Sequence, residues 1–154
     1  MAETSPLEFC KLLPSLKSEL AEFFRAFASS EGSHWFHPHP FTPEEANERC
    51  IYEGKDLYYV ALGGGEVLAY AMLRGWDQGF AIPSLGIAVH PTVRGIGLGK
   101  AFMLFLHTAA RLRGAKQIRL KVYPQNIVAV KLYEILGYRF GEKLDDQLVG
   151  YLDL

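Results

Sequence analysis

The stretch Val89-His90-Pro91-Thr92-Val93-Arg94-Gly95-Ile96-Gly97-Leu98-Gly99-Lys100-Ala101-Phe102 decides the fold of this chain. The apolar run before it, Phe80–His90, reads as a strand broken at Pro83 and Gly86 and ended by Pro91. After it, Leu98, Phe102, Phe105, Leu106, Ala109 and Leu112 recur on one helical face. The spacing predicts a helix over Ile96–Arg113, closed by Gly114. Glycines between a strand and a helix let backbone N–H groups face outward and admit a ligand closely. The helix N-terminus adds the positive end of its dipole. Arg94 and Lys100 flank the turn and can neutralise negative charge, so the site suits a diphosphate.

Working toward the N-terminus, Glu66–Arg74 and Leu57–Leu62 are β-rich runs joined by Gly63-Gly64-Gly65, a predicted hairpin. Gly75-Trp76-Asp77-Gln78-Gly79 is a second turn. Thr42-Pro43-Glu44-Glu45 is a helix start, with Thr as N-cap and Pro at the first position; that helix should reach about Tyr52. A His-, Pro- and aromatic-rich loop covers residues 31–43. Pro14 opens an earlier helix whose apolar face is Leu16, Leu20, Phe23, Phe24 and Phe27, ended by Gly32. Residues 7–12 form a first strand. Toward the C-terminus, Gln117–Tyr123 alternates as a strand, and Asn126 caps a helix that Gly137 stops. Tyr138–Gly141 and Gln147–Leu154 are closing strands. The order implies an α/β (α+β) fold with one mixed, mostly antiparallel sheet flanked by helices, as a single domain over residues 1–154.

The chain has 154 residues and a net charge of −1, which argues against general nucleic-acid binding. Its charge is unevenly placed. From Gln78 to Tyr133 there are eight basic residues and no acidic one, so this block carries +8 and the remainder −9. That one-sidedness suits a polyanionic ligand. Cys10 and Cys50 are too few for a disulfide framework or metal cluster and are expected as buried thiols in a reducing compartment. Met1–Pro6 lacks a basic region followed by an apolar run, so no signal peptide is expected, and no run approaches the ~20 apolar residues that span a bilayer. A cytoplasmic protein without membrane partners is the expectation.

Three phosphate-binding patterns compete for the glycine turn. A dinucleotide fingerprint needs a third glycine where Lys100 stands and an acidic residue ~20 positions on, and the next acid is Glu134. A Walker loop needs a hydroxyl where Ala101 stands and a first glycine where Arg94 stands. The third pattern, R/Q-x-x-G-x-G/A, is matched by Arg94, Gly97 and Gly99. Together with Val89-His90-Pro91 upstream, and with Asn126, Ala129, Tyr133-Glu134 and Leu136-Gly137-Tyr138 downstream, it resembles the GNAT family of N-acetyltransferases over roughly residues 81–140.

The resemblance implies a GNAT-like acyl-CoA N-acyltransferase fold and an acetyl-CoA-dependent N-acetyltransferase using no metal. Ile87, Ala88 and Val89 would offer strand-edge groups to the pantetheine amides. Gly95, Ile96, Gly97, Leu98, Gly99 and Lys100, with Arg94, would cradle the diphosphate. Asn126 would contact the pantetheine arm. Tyr133 would stand near the sulfur and protonate the leaving thiolate, a role for which an O–H donor on the facing helix is chemically apt. On its own Tyr133 reads as a core tyrosine, and Asn126 as a plain N-cap. The strand bearing the turn and Gln117–Tyr123 would splay to admit the pantetheine.

The base is not legible. Some family members place a glutamate five residues before the asparagine, where this chain has Lys121; others place one on the strand before the turn, and Phe80–Val89 has none. A histidine of the 34–39 loop, Asp77, Tyr123 or a water chain remain open. His34, His37 and His39 invite a zinc reading, but the intervening prolines stiffen the loop and no fourth ligand stands out. His37 and His39, with Trp76 and Asp77, are the acceptor-side candidates. His90 and His107 read as incidental. The expected reaction is acetylation of a small-molecule primary amine by direct attack. A protein or peptide α-amine acceptor, or a non-catalytic acyl-CoA-binding module, are the alternatives. The closing strands could support a homodimer.

Overall fold

The computed structural model describes residues 6–154; most of the Met1–Pro6 stretch, on which the signal-peptide expectation rests, lies outside them. The elements run β1 (Glu8–Lys11), α1 (Lys17–Ala28), α2 (Pro43–Cys50), β2 (Leu57–Gly63), β3 (Glu66–Arg74), β4 (Ser84–Val89), α3 (Leu98–Leu112), β5 (Gln117–Val122), α4 (Ile127–Ile135), β6 (Arg139–Leu144) and β7 (Gln147–Asp153). They build one seven-stranded sheet in the order β1-β2-β3-β4-β5-β7-β6. All its pairings are antiparallel except β4 with β5. This is the mixed, mostly antiparallel sheet that the pattern implies.

Strand alternation sorts the side chains between two cores. Ile118, Leu120 and Val122 of β5 point to the face covered by α3, with Leu98, Phe102, Met103 and Leu106. Tyr58, Val60, Tyr70 and Met72 point to the other face, under Leu20, Phe23, Phe24 and Phe27 of α1. A bulge between Ala61 and Leu62 lets Leu68 and Ala69 both serve the α3 side.

Five boundaries differ from the sequence reading, each for a local reason. Pro14–Leu16 is a separate 3-10 turn, and α1 begins at Lys17 and stops at Ala28, where Ser29 and Ser30 hydroxyls take up its last carbonyls. The strand expected over Phe80–His90 starts only at Ser84, because Pro83 cannot donate to a ladder. Helix α3 starts at Leu98, since Gly95 and Gly97 take φ of 78° and 89° and hold the turn out of the helix. Strand β6 runs on to Leu144 through a hairpin with β7. The Thr42 cap forms as read: its hydroxyl accepts from the Glu45 N–H at 3.1 Å.

Candidate functional site

The parallel pair β4–β5 shares one register position, Ser84 with Arg119. Beyond it the strands part, so the β5-facing backbone edge of β4 from Gly86 to Val89 has no ladder partner in β5. A cleft of about 1510 Å³ occupies this gap. Its walls include Ile87, Ala88 and Val89 on one side and Lys121, Val122 and Asn126 on the other.

At the C-terminal end of β4 the cleft meets the glycine turn. Arg94, Gly95, Gly97, Leu98, Gly99 and Lys100 line it, whereas Ile96 is 72% exposed and does not. A Cβ added at Gly95 or Gly97 would meet nothing within 4 Å, so the turn presents bare backbone to the cleft. The Leu98, Gly99 and Lys100 amides have no intrahelical acceptor, and Gly97 supplies no side-chain cap. These donors, with two exposed cations beside them, fit a diphosphate. Arg94 is steered toward Ser30 and the Val89 carbonyl by long contacts of 3.4 Å.

Helix α4 forms the opposite wall. Asn126 precedes it, and its side chain makes no capping bond, which leaves the carboxamide available to a ligand. One turn further, Ala129, Leu132 and Tyr133 face the cleft. Burial pushes the Tyr133 hydroxyl up to about 12, so it stays protonated at neutral pH. Tyr138, 5.8 Å away by ring centroid, bonds His107 Nε2 at 2.8 Å inside the α3 core. Burial first, and Arg111 second, pull His107 down to about 4, so it is a neutral core partner outside the cleft.

The 31–41 loop roofs the other face. Phe36 lies over Gly86, where an added Cβ would stand 2.9 Å from its ring; this close approach accounts for the glycine within β4. Beyond it, His37 Nε2 bonds the Tyr123 hydroxyl at 3.0 Å, and Trp35 packs on the same tyrosine with centroids 5.6 Å apart. His34 and His37 line the cleft.

Three acceptor candidates have other surroundings. His39 is built into the α1 core, bonded to the Tyr70 hydroxyl at 2.8 Å and the Pro40 carbonyl at 2.7 Å, and burial lowers its pKa. Trp76 packs against the α3-side core under the Arg113 guanidinium, 4.8 Å from the ring centre. Asp77 is exposed and accepts bonds from the Tyr52 hydroxyl and the Lys55 N–H, which hold its carboxyl below the usual range. None of the three lines the cleft. Among the described residues no group of three His, Cys, Asp or Glu side chains is placed to hold a metal ion, and no helix is long and apolar enough to cross a membrane.

Sequence reasoning missed Arg74, Arg119, Ser84 and Tyr151, which line the cleft around the point where β4 and β5 still pair. The one-sided charge of the 78–133 block was the available signal for Arg119; Arg74 lies outside that block and had none.

The acetyltransferase (GNAT) family pattern matches residues 16–138. The GNAT domain of a protein called PAT from S. lividans superposes with a TM-score of 0.82 at 19% identity, over 96% of this chain and 90% of that one. PaiA N-acetyltransferase from Thermoplasma acidophilum, solved in complex with coenzyme A, gives 0.80 at 15% identity over 97% and 99%. Ribosomal-protein-S5-alanine acetyltransferase from Vibrio fischeri gives 0.78 at 13% identity over 96% and 92%. At these identities the likeness is one of fold.

Proposed function

The chain belongs to the acetyltransferase (GNAT) family, and from that premise we propose that it moves an acetyl group from acetyl-CoA to the primary amine of a small molecule by direct attack. The observation that carries this is the parted β4–β5 pair, with the bare glycine turn at one end and Tyr133 on the facing wall. In this reading the turn amides, Arg94 and Lys100 hold the diphosphate. The open edge of β4 takes the pantetheine amides, assisted by Asn126. The amine nitrogen bonds to the thioester carbonyl carbon, the C–S bond breaks, and the sulfur leaves as a thiolate facing the Tyr133 hydroxyl. The proton lost by nitrogen goes toward the His37–Tyr123 pair on the loop side.

The Vibrio fischeri protein, at 13% identity, is named for an alanine of ribosomal protein S5, which keeps a protein or peptide α-amine as the second reading. The small-molecule reading is tested by calorimetry with acetyl-CoA, then by thiol release over an amine panel. Release with a small amine, reduced in Tyr133→Phe, supports it. Release only with peptide N-termini moves the acceptor to that class. Binding without release under every acceptor leaves a binding module, and absence of acetyl-CoA binding removes the whole reading.

A further inference from the structure

Arg74 of β3, Ser84 of β4, Arg119 of β5 and Tyr151 of β7 stand in one row across the sheet, each registered on the next. Registered neighbours share a face. Arg119 and Lys121 alternate with core-facing Ile118, Leu120 and Val122, so this face is the one roofed by the 31–41 loop. All five residues line the cleft. The row crosses at the start of β4, five residues and roughly 17 Å from Val89 and the glycine turn beyond it. It is therefore a second cationic centre, distinct from the diphosphate cradle.

Among the described residues nothing neutralises it. None of the ion pairs among the described residues includes Arg74, Arg119 or Lys121. The one carboxylate lining the cleft is Glu31, beside Gly32 and the Arg94 guanidinium at the other end. Arg74 gives two long bonds, 3.3 Å to the Pro38 carbonyl and 3.8 Å to the Met72 sulfur, neither of which carries a full negative charge. The Arg119 Nε is buried with no partner among the described residues, a costly arrangement unless a ligand supplies the acceptor.

We propose that the acceptor is an amine carrying an anionic group, a carboxylate or a phosphate a few bonds from the nitrogen, and that Arg119, with Arg74 and Lys121, holds that group. This names the acceptor class of the acetyl-transfer reading above and rests on it. The guanidinium fork of Arg119 pairs with two oxygens of such an anion, and Ser84 and Tyr151 add hydroxyl donors. A polyamine or a lysine-rich peptide would meet like charge here and be repelled.

The experiment pairs acceptors that differ in charge: alanine with alaninamide, aspartate with asparagine, phosphoethanolamine with ethanolamine, and spermidine as a cation. The first two pairs report carboxylate and the third phosphate. Wild type should favour the more anionic member of at least one pair by about 10–100-fold in kcat/KM. Arg119→Gln should cut that ratio by about tenfold or more while the acetyl-CoA Kd, read by calorimetry, stays within about twofold. If Arg119→Gln does not fold, Lys121→Gln, at an exposed position, should lower the ratio by a smaller factor. Equal rates within every pair, a preference for spermidine, an unchanged ratio in the folded variants, or no turnover of any anionic amine by protein that binds acetyl-CoA would each overturn the inference while leaving the donor reading intact. Failure to bind acetyl-CoA would overturn both.

Discussion

Replacing Tyr133 with phenylalanine tests how the leaving thiolate is handled, and the structure sets the size of the effect. Burial holds the Tyr133 hydroxyl at about 12, whereas a thiol ionises near ~8.5. Passing the proton fully from Tyr133 to a thiolate is therefore uphill by roughly 5 kcal/mol. Donating a hydrogen bond to that thiolate carries no such penalty and is worth about 1.5–3 kcal/mol. The loss in kcat for Tyr133→Phe should then be about 10–150-fold, at the low end of what a true general acid supplies, about 10²–10⁴. The assay is thiol release at saturating acetyl-CoA from pH 6 to 10, with the acetyl-CoA Kd measured alongside and expected to stay near wild type. The wild-type kcat profile should show no basic limb from Tyr133 in that range. A loss beyond about 10³, with a wild-type limb near pH 8–9 that vanishes in the variant, would show full proton transfer from a tyrosine of much lower pKa and refute the reasoning. No loss at all would take the hydroxyl away from the sulfur.

The donor end and the core yield further outcomes. Arg94→Glu should weaken acetyl-CoA binding by about 1–3 kcal/mol in calorimetry, and an unchanged affinity removes Arg94 from the phosphates. His107, 3% exposed and held down to about 4, should make stability pH-dependent. The unfolded chain takes up this proton near pH 6.5 and the fold resists it until near 4. Stability is therefore full above about pH 6.5 and falls by about 3 kcal/mol on the way to pH 4. Denaturant melts at pH 7.5 and 4.5 should show wild type losing about 2–3 kcal/mol more than His107→Gln, and equal losses would assign the acid sensitivity elsewhere.

The glycine turn was legible in the sequence because it is local. Gly95 and Gly97 act through backbone conformation within three residues, and the positive φ each takes is what such a turn requires. The β4–β5 parting follows from strand order and is visible in the single register pair Ser84–Arg119. The acceptor half is assembled from distant segments. His37 meets Tyr123 across 86 residues, and Arg74 meets Arg119 only through register on Ser84. Neither neighbourhood leaves a periodic trace. His39, two residues on from His37, turns onto Tyr70 in the core, which no local pattern foretells. In sequence Asp77 looked free, but its partners Tyr52 and Lys55 arrive from another turn.

Lys121 lines the cleft with Arg119 and stands where some family members carry a glutamate base. One account is that this chain has merely lost its base. The other is that the cations themselves keep the amine neutral. A positive charge ~6 Å from an ammonium, at an effective dielectric of ~20, disfavours it by about 2.8 kcal/mol, which lowers the amine pKa by about two. With an anion satisfied by Arg119, the remaining charge of Arg74 and Lys121 still acts on the nitrogen. The His37–Tyr123 pair then needs only to accept a proton already weakly held. Lys121→Glu separates the accounts. If a base is merely missing, the new carboxylate should raise kcat. If the cations are the device, kcat/KM for an anionic amine should fall about 10–100-fold. The acidic limb of kcat, which reports groups in the bound complex, should also move to higher pH, by about two for the positive charge removed and by about two more for the negative charge gained. A faster Lys121→Glu enzyme at neutral pH would refute the electrostatic account and restore the search for a conventional base.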